Sequence, residues 1–295
     1  MVETSLWDDA GDMTTEVTKA SRPVVVGIKR HQPAALRYAL DEARRLGTYV
    51  RVAHVIPRAE LARLNGAPPS LLEQARRTVE TGVDPPRVDY FAWWGDPVDV
   101  LAVESREASL LVVGGDELPW VTQLAGGEVA RKVSLTASCP VVVVPSTDLN
   151  PDRVGGVVVA VDGAGPIDGP LFYAFQAAHE RGETLQIVIA AGSPQDRLGR
   201  DARGERLGRA MARAEDAYPD VQVLPAVGAD HGVAACLLAT QHASLLVLGR
   251  PIDDHAPWSP LGVAGRVLRR AKSPVAVVPL DHAIATLSVA SIKEQ

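Results

Sequence analysis

Two pairs of glycines stand where backbone amides could receive an anion. Gly114 closes the apolar run Ser109 to Gly114, and Gly127 follows thirteen residues later, just before the segment Glu128 to Ala137. Gly249 closes Ser244 to Gly249, and Gly262 again follows thirteen residues later. A glycine ending a β-branched run, then a loop, then a glycine opening an amphipathic segment reads as strand, loop, helix. The helix N-terminus at such a loop offers unpaired N–H groups to a phosphate or carboxylate.

Other residues could do different chemistry. Asp253, Asp254 and His255 stand together in the second loop, with His231 and His242 flanking the preceding helix, so a metal site or an acid–base pair is one reading. Adjacent residues in an irregular loop do not converge on one ion, and no H-E-x-x-H, G-x-S-x-G or C-x-x-C motif occurs. The expectation is no catalytic residue and no metal. Cys139 and Cys236 lie far apart and read as small buried hydrophobes in a reducing compartment. His54 lies inside a strand without a ligand partner at metal spacing and reads as a histidine satisfied by a neighbour. The arginines from Arg197 to Arg213 interleave with Asp196, Asp201, Glu205 and Glu215, the pattern of a solvated helix face. Trp120 and Trp258 each follow a proline in the glycine loops; folding back onto their own domain is the preferred reading, anchoring an unidentified protein partner the other.

The elements that position these residues repeat. Strands at Pro23 to Ile28, Val50 to Ile56, Arg87 to Trp93, Ser109 to Gly114 and Val141 to Val144 alternate with four helical patterns. Asp96 is placed as N-cap and Pro97 at the first helical position of the third helix, and Gly47 closes the first. A second series runs through strands Gly156 to Val161, Leu185 to Ala190, Val221 to Ala226, Ser244 to Gly249 and Val275 to Val278, with a helix at Gly232 to Gln241. Gly114 to Gly249 and Gly127 to Gly262 are both offset by 135, so the chain is a tandem duplication. Alternating strands and helices without hairpin signals predict two doubly wound α/β domains, each with a five-stranded parallel sheet. The boundaries are an acidic tail over residues 1–20, a domain over 21–146, a linker over 147–154, a second domain over 155–280 and a tail over 281–295.

Composition agrees with that architecture and removes other classes. The chain has 295 residues, 46% hydrophobic and only 4% aromatic, so its cores must be built from Val, Leu, Ala and Ile. A net charge of −6 argues against a general nucleic-acid binder. No apolar run approaches the ~20 residues of a membrane helix, and no signal peptide is evident, so a cytoplasmic protein is expected.

With both copies laid out, the sequence resembles a tandem universal stress protein. The carriers are Val24-Val25-Val26-Gly27-Ile28 and Val157-Val158-Val159-Ala160-Val161-Asp162-Gly163, Gly95-Asp96-Pro97, the Leu-Val-Val-Gly and Leu-Val-Leu-Gly strands, and the Cys139-Pro140 and Ser273-Pro274 runs ending in Val-Val-Pro. The resemblance implies an adenine nucleotide alpha hydrolase-like, Rossmann-like fold, the two domains paired through their last strands as an internal pseudo-dimer, and further association as a homodimer. ATP-binding members carry glycine, two residues, glycine, nine residues, then glycine and a hydroxyl residue. Here Gly114 and Gly127 match, but Glu117 and Glu128 replace the second glycine and the hydroxyl. In the second copy Gly249 and Gly262 match, but Ile252 and Val263 do not, and Pro251, Pro257 and Pro260 remove donors between them. Arg250 could still meet a phosphate and Ser259 could donate. The family's aspartate after the first strand survives as Asp162; Lys29 stands there in the first copy. The expectation is a non-catalytic stress-response protein without a cofactor, ATP or another adenine nucleotide being lost or confined to the second copy.

Overall fold

The computed structural model describes residues 22–29, 32–57, 70–115, 128–146, 155–161, 166–190, 197–229, 232–250 and 263–282. The N-terminal tail, residues 283–295 of the C-terminal tail, the 147–154 linker, Glu117, Trp120, Gly127, Asp162, the loop from Pro251 to Gly262, and His231 therefore lie outside the described residues. The chain divides into two compact units, Met1–Ser146 and Thr147–Gln295.

The first unit runs β1 (Val24–Ile28), α1 (Pro33–Arg45), β2 (Val50–Ile56), α2 (Ser70–Glu80), β3 (Val88–Trp94), α3 (Pro97–Glu104), β4 (Leu110–Gly114), α4 (Glu128–Thr136) and β5 (Val141–Val144). Its strands are all parallel, in the order β3-β2-β1-β4-β5. Helices α1 and α2 pack together, and α3 packs with α4, so both faces of the sheet are covered. That is why β1, β4 and β5 are almost unbroken valine and leucine: a parallel strand buried on both faces has no polar side to alternate with.

Local chemistry sets the ends of these elements. Asp96 accepts from Val98 N at 2.8 Å and Pro97 begins α3, the expected cap and first position. Gly47 adopts φ +60° after α1, where Thr48 N donates to Ala43 O at 2.9 Å and closes the helix end. Arg51 on β2 donates to Glu104 of α3 at 2.9 Å and lies 5.3 Å from the Phe91 ring centroid, fixing β3 to β2 through one guanidinium. Burial alone would lower the pKa of that arginine, but the hydrogen bond and charge of Glu104 raise it.

The second unit repeats the plan with β6 (Val157–Val161), α5 (Asp168–Arg181), β7 (Leu185–Ala190), α6 (Arg197–Ala217), β8 (Val223–Ala229), α7 (Gly232–Ala239), β9 (Leu245–Gly249), α8 (Val263–Arg270) and β10 (Val275–Val278). Its order is β8-β7-β6-β9-β10, again parallel throughout. Two small ties recur as well. Ser105 after α3 accepts from Ser138 N at 2.8 Å, and Thr240 after α7 accepts from Lys272 N at 3.3 Å.

Two sequence boundaries are corrected. The strand expected at Val221 to Ala226 lies at Val223–Ala229. Gln186 pairs with Leu224 but Val188 pairs with Val227, so β8 carries one extra residue, and Pro225, with no N–H to give, sits at that bulge. The helix expected to reach Gln241 ends at Ala239, because Thr240 turns its hydroxyl back to Leu237 O at 2.8 Å.

Candidate functional site

In a sheet of this order, the strands β1 and β4 are neighbours whose following helices lie on opposite faces. Their carboxyl ends therefore open a crevice at the point where the winding reverses, which is where α/β sheets place ligands. In the first unit the crevice is bounded by Ile28 and Lys29 on one side and Gly114 and Gly115 on the other. In the second it lies between the ends of β6 and β9, at Val161 and Gly249.

The glycine at the first crevice is covered from within the chain. Gln32, the residue before α1, lies directly on Gly114: a Cβ built on that glycine would be 2.3 Å from Gln32 Nε2 and 2.6 Å from its Cδ. Gly115 N donates to Val144 O at 2.7 Å, so the amide after the strand glycine already has a strand partner. His54 Nδ1 lies 2.9 Å from Ile28 O, a neighbour-satisfied histidine tying β2 to the last residue of β1. Lys29 is exposed at the crevice rim, and Glu128 is the first residue of α4, putting a carboxylate residue at the helix start where a phosphate would need donors.

At the second crevice different residues contact the glycine. A Cβ on Gly249 would meet Pro170 Cγ at 3.0 Å and Leu280 Cδ2 at 3.3 Å. Arg250 N donates to Val278 O at 2.9 Å, repeating the Gly115 bond. Gly169, in the first turn of α5, would place a Cβ 2.4 Å from Pro279 O and 2.7 Å from Leu280 O, so the helix start is pressed against the chain leaving β10. Asp168 at that helix start is ion-paired with Arg213 of α6. Val263, not a hydroxyl residue, begins α8.

Of the residues singled out from sequence, the structure thus places Lys29, Gly114 and the start of α4 around one crevice, and Gly249 and Arg250 at the other. Gln32, Pro170 and Leu280 escaped sequence reading. Gln32 and Pro170 do not share the 135-residue offset, so comparing the copies could not have found them.

Neither Cys139 nor Cys236 is in a disulfide, both are buried, and burial pushes the Cys236 thiol up to about 11. Arg206, Arg209 and Arg213 are exposed on α6 beside Glu205 and Glu215. Among the described residues, no group of three or more His, Cys, Asp or Glu could hold a metal ion, and no helix is long and apolar enough to cross a membrane.

The universal stress protein family model matches residues 21–145. A universal stress protein of Mycobacterium tuberculosis strain H37Rv is 32% identical over 231 residues, covering 74% of this chain and 83% of its own. The chain belongs to the universal stress protein family. A second universal stress protein of that strain is 29% identical over 250 residues, covering 79% of this chain and 87% of its own. A solved universal stress protein from Archaeoglobus fulgidus superposes with a TM-score of 0.63 at 17% identity, covering 86% of this chain and 95% of its own, a likeness of fold alone. In this universal stress protein, then, the family fold stands in both units, and the glycine ending the crevice strand of each is in close contact with the protein's own side chains.

Proposed function

We propose that this universal stress protein serves a stress response without catalysis, as a regulatory module whose nucleotide pocket is lost in the first unit and reduced or lost in the second. The observation that carries this reading is the seat of Gln32 on Gly114. A sugar or phosphate approaching that glycine meets an amide already in van der Waals contact with its Cα, and the next N–H along is bonded to Val144 O. In sequence, Glu117 and Glu128 stand at the two motif positions where ATP-binding members carry a glycine and a hydroxyl residue. The two buried cysteines, neither in a disulfide, accord with a reducing compartment, and we assign the protein to the cytoplasm.

A second reading is favoured by one residue. Asp162 directly follows β6 in sequence, so the second unit keeps the residue type that the resemblance assigns to a nucleoside, with Arg250, Ser259 and Gly262 as the residues it assigns to the phosphate side. Calorimetric titration of ATP, ADP and cyclic AMP into the full chain, with and without Asp162→Ala, separates the two. The expected result is a dissociation constant weaker than ~1 mM for every nucleotide. A micromolar constant abolished by Asp162→Ala would overturn the proposal in favour of a nucleotide-dependent regulator.

A further inference from the structure

The sheet of the first unit ends on β3, and that strand is unlike any other in the chain. Tyr90, Phe91, Trp93 and Trp94 are four of the chain's thirteen aromatic residues, gathered in one seven-residue strand. Among the described residues β3 pairs only with β2, in unbroken register from Val50 opposite Val88 to Ile56 opposite Trp94. Its aromatic side chains remain partly exposed, Trp94 at 42%.

The direction of its backbone groups follows from two bonds. Val50 N donates to Arg87 O at 2.9 Å and Gly95 N donates to Ile56 O at 3.2 Å. Successive strand residues turn their N–H and C=O to alternate sides, so Val88, Tyr90, Ala92 and Trp94 direct theirs away from β2. Only another extended strand satisfies such a row. Asp89, the one charge in the strand, is held by Arg87 at 3.1 and 3.2 Å, so no uncompensated charge guards this edge. The corresponding edge of the second unit is closed in the way that edge strands usually are, since β8 carries Pro225 at a bulge.

We propose that β3 pairs antiparallel with β3 of a second copy of this chain, about a two-fold axis at Ala92. Such an axis stands perpendicular to the sheet and must pass through a residue, because opposed side chains have to share a face. Centred on Ala92, Phe91 faces Trp93 of the second copy and Tyr90 faces Trp94 of the second copy. The smallest side chain of the strand then lies where identical side chains meet. Tyr90, Ala92 and Trp94 are all outward-pointing residues, and together they exchange about six backbone hydrogen bonds with their mates. A centre on Phe91 would instead set Asp89 against Trp93 and crowd two phenyl rings at the axis. A second copy is the occupant because in this register the strand is its own complement in hydrogen bonds and aromatic pairing and sets no like charges opposite one another.

Sedimentation velocity on the full chain from 1 to 100 μM tests the proposal. The expected species has twice the 31.3 kDa chain mass. Ala92→Pro removes an outward N–H and leaves the β2 ladder its donors, and should weaken association at least tenfold. Trp94→Lys, which keeps the backbone intact, should do the same and decides the matter if the proline variant does not fold. Ala92→Cys should cross-link to itself with a short bismaleimide. A wild-type chain that stays monomeric throughout this range would overturn the proposal, as would a dimer that survives Trp94→Lys with native circular dichroism.

Discussion

Gly114→Ala is the sharpest test of whether the first crevice is filled in solution. The new Cβ would lie 2.3 Å from Gln32 Nε2, 2.6 Å from Cδ and 3.0 Å from Oε1. Ordinary carbon contacts are ~3.5–4.0 Å, so the overlap exceeds an ångström and the amide must swing away. Overpacking costs typically about 1–3 kcal/mol, and because the clash falls on the end of a flexible side chain the low end applies, about 1 kcal/mol. The backbone itself does not object, since φ at Gly114 is not positive. Replacing glycine there lowers the entropy of the unfolded chain, a gain of about 0.4–1 kcal/mol. Gly114→Ala should therefore be roughly neutral to mildly destabilising in the wild-type background. In a Gln32→Ala background only the entropic gain remains, and the same substitution should stabilise by about 0.5 kcal/mol. The double-mutant cycle, followed by urea unfolding through the fluorescence of Trp93 and Trp94, should give a coupling of about 1 kcal/mol. A coupling below ~0.3 kcal/mol, the usual scatter for independent sites, would mean that Gln32 does not occupy the space over Gly114, and the case for a filled pocket would fall with it.

Other outcomes follow from the same geometry. Gly169→Ala drives a Cβ into two backbone carbonyls that cannot rotate away, at 2.4 and 2.7 Å, so it should destabilise the second unit by about 2–3 kcal/mol even though alanine is the better helix former; a thermal melt unchanged within a degree would contradict the packing. The hydrogen bond from His179 at 2.7 Å holds the Asp220 carboxyl below the usual range. A depressed folded pKa contributes stability above the unfolded value, near 3.8, and loses it as pH falls through the folded one. A carboxyl-carbon titration by NMR should therefore show Asp220 ionising below its ordinary midpoint, and His179→Ala should return it to normal.

The fold was legible because it is written in periods and repeats. Val24 to Ile28, Leu110 to Gly114 and Val141 to Val144 can be so uniformly apolar only as buried parallel strands, and the offset of 135 shared by the two glycine pairs leaves one architecture for two halves. Caps were legible for the same reason: Asp96 and Pro97 act through neighbours one or two residues away. Where a boundary failed, at β8, the cause was a bulge around Pro225, and a bulge depends on the partner strand, which one strand's sequence does not contain. The candidate site was legible only in part. The two glycines ending β4 and β9 announced a crevice, but what fills it comes from across the sheet. Gln32 reaches Gly114 over 82 positions of sequence and Pro170 reaches Gly249 over 79, and no local spacing encodes such contacts.

That distance bears on how a glycine at a strand end should be interpreted. A glycine kept for a phosphate and a glycine kept for a side chain of its own protein look identical in sequence, because both demand the same missing Cβ. They differ in what else the site must retain. A phosphate requires free N–H donors beyond the glycine, whereas packing does not, and in both units the next N–H is already bonded, Gly115 to Val144 O and Arg250 to Val278 O. The two units close the crevice with chemically unrelated groups, an amide in one and a proline with a leucine in the other. Two different contacts over the same glycine fit the proposed loss of a ligand requirement, since volume that a ligand no longer fills must still be packed.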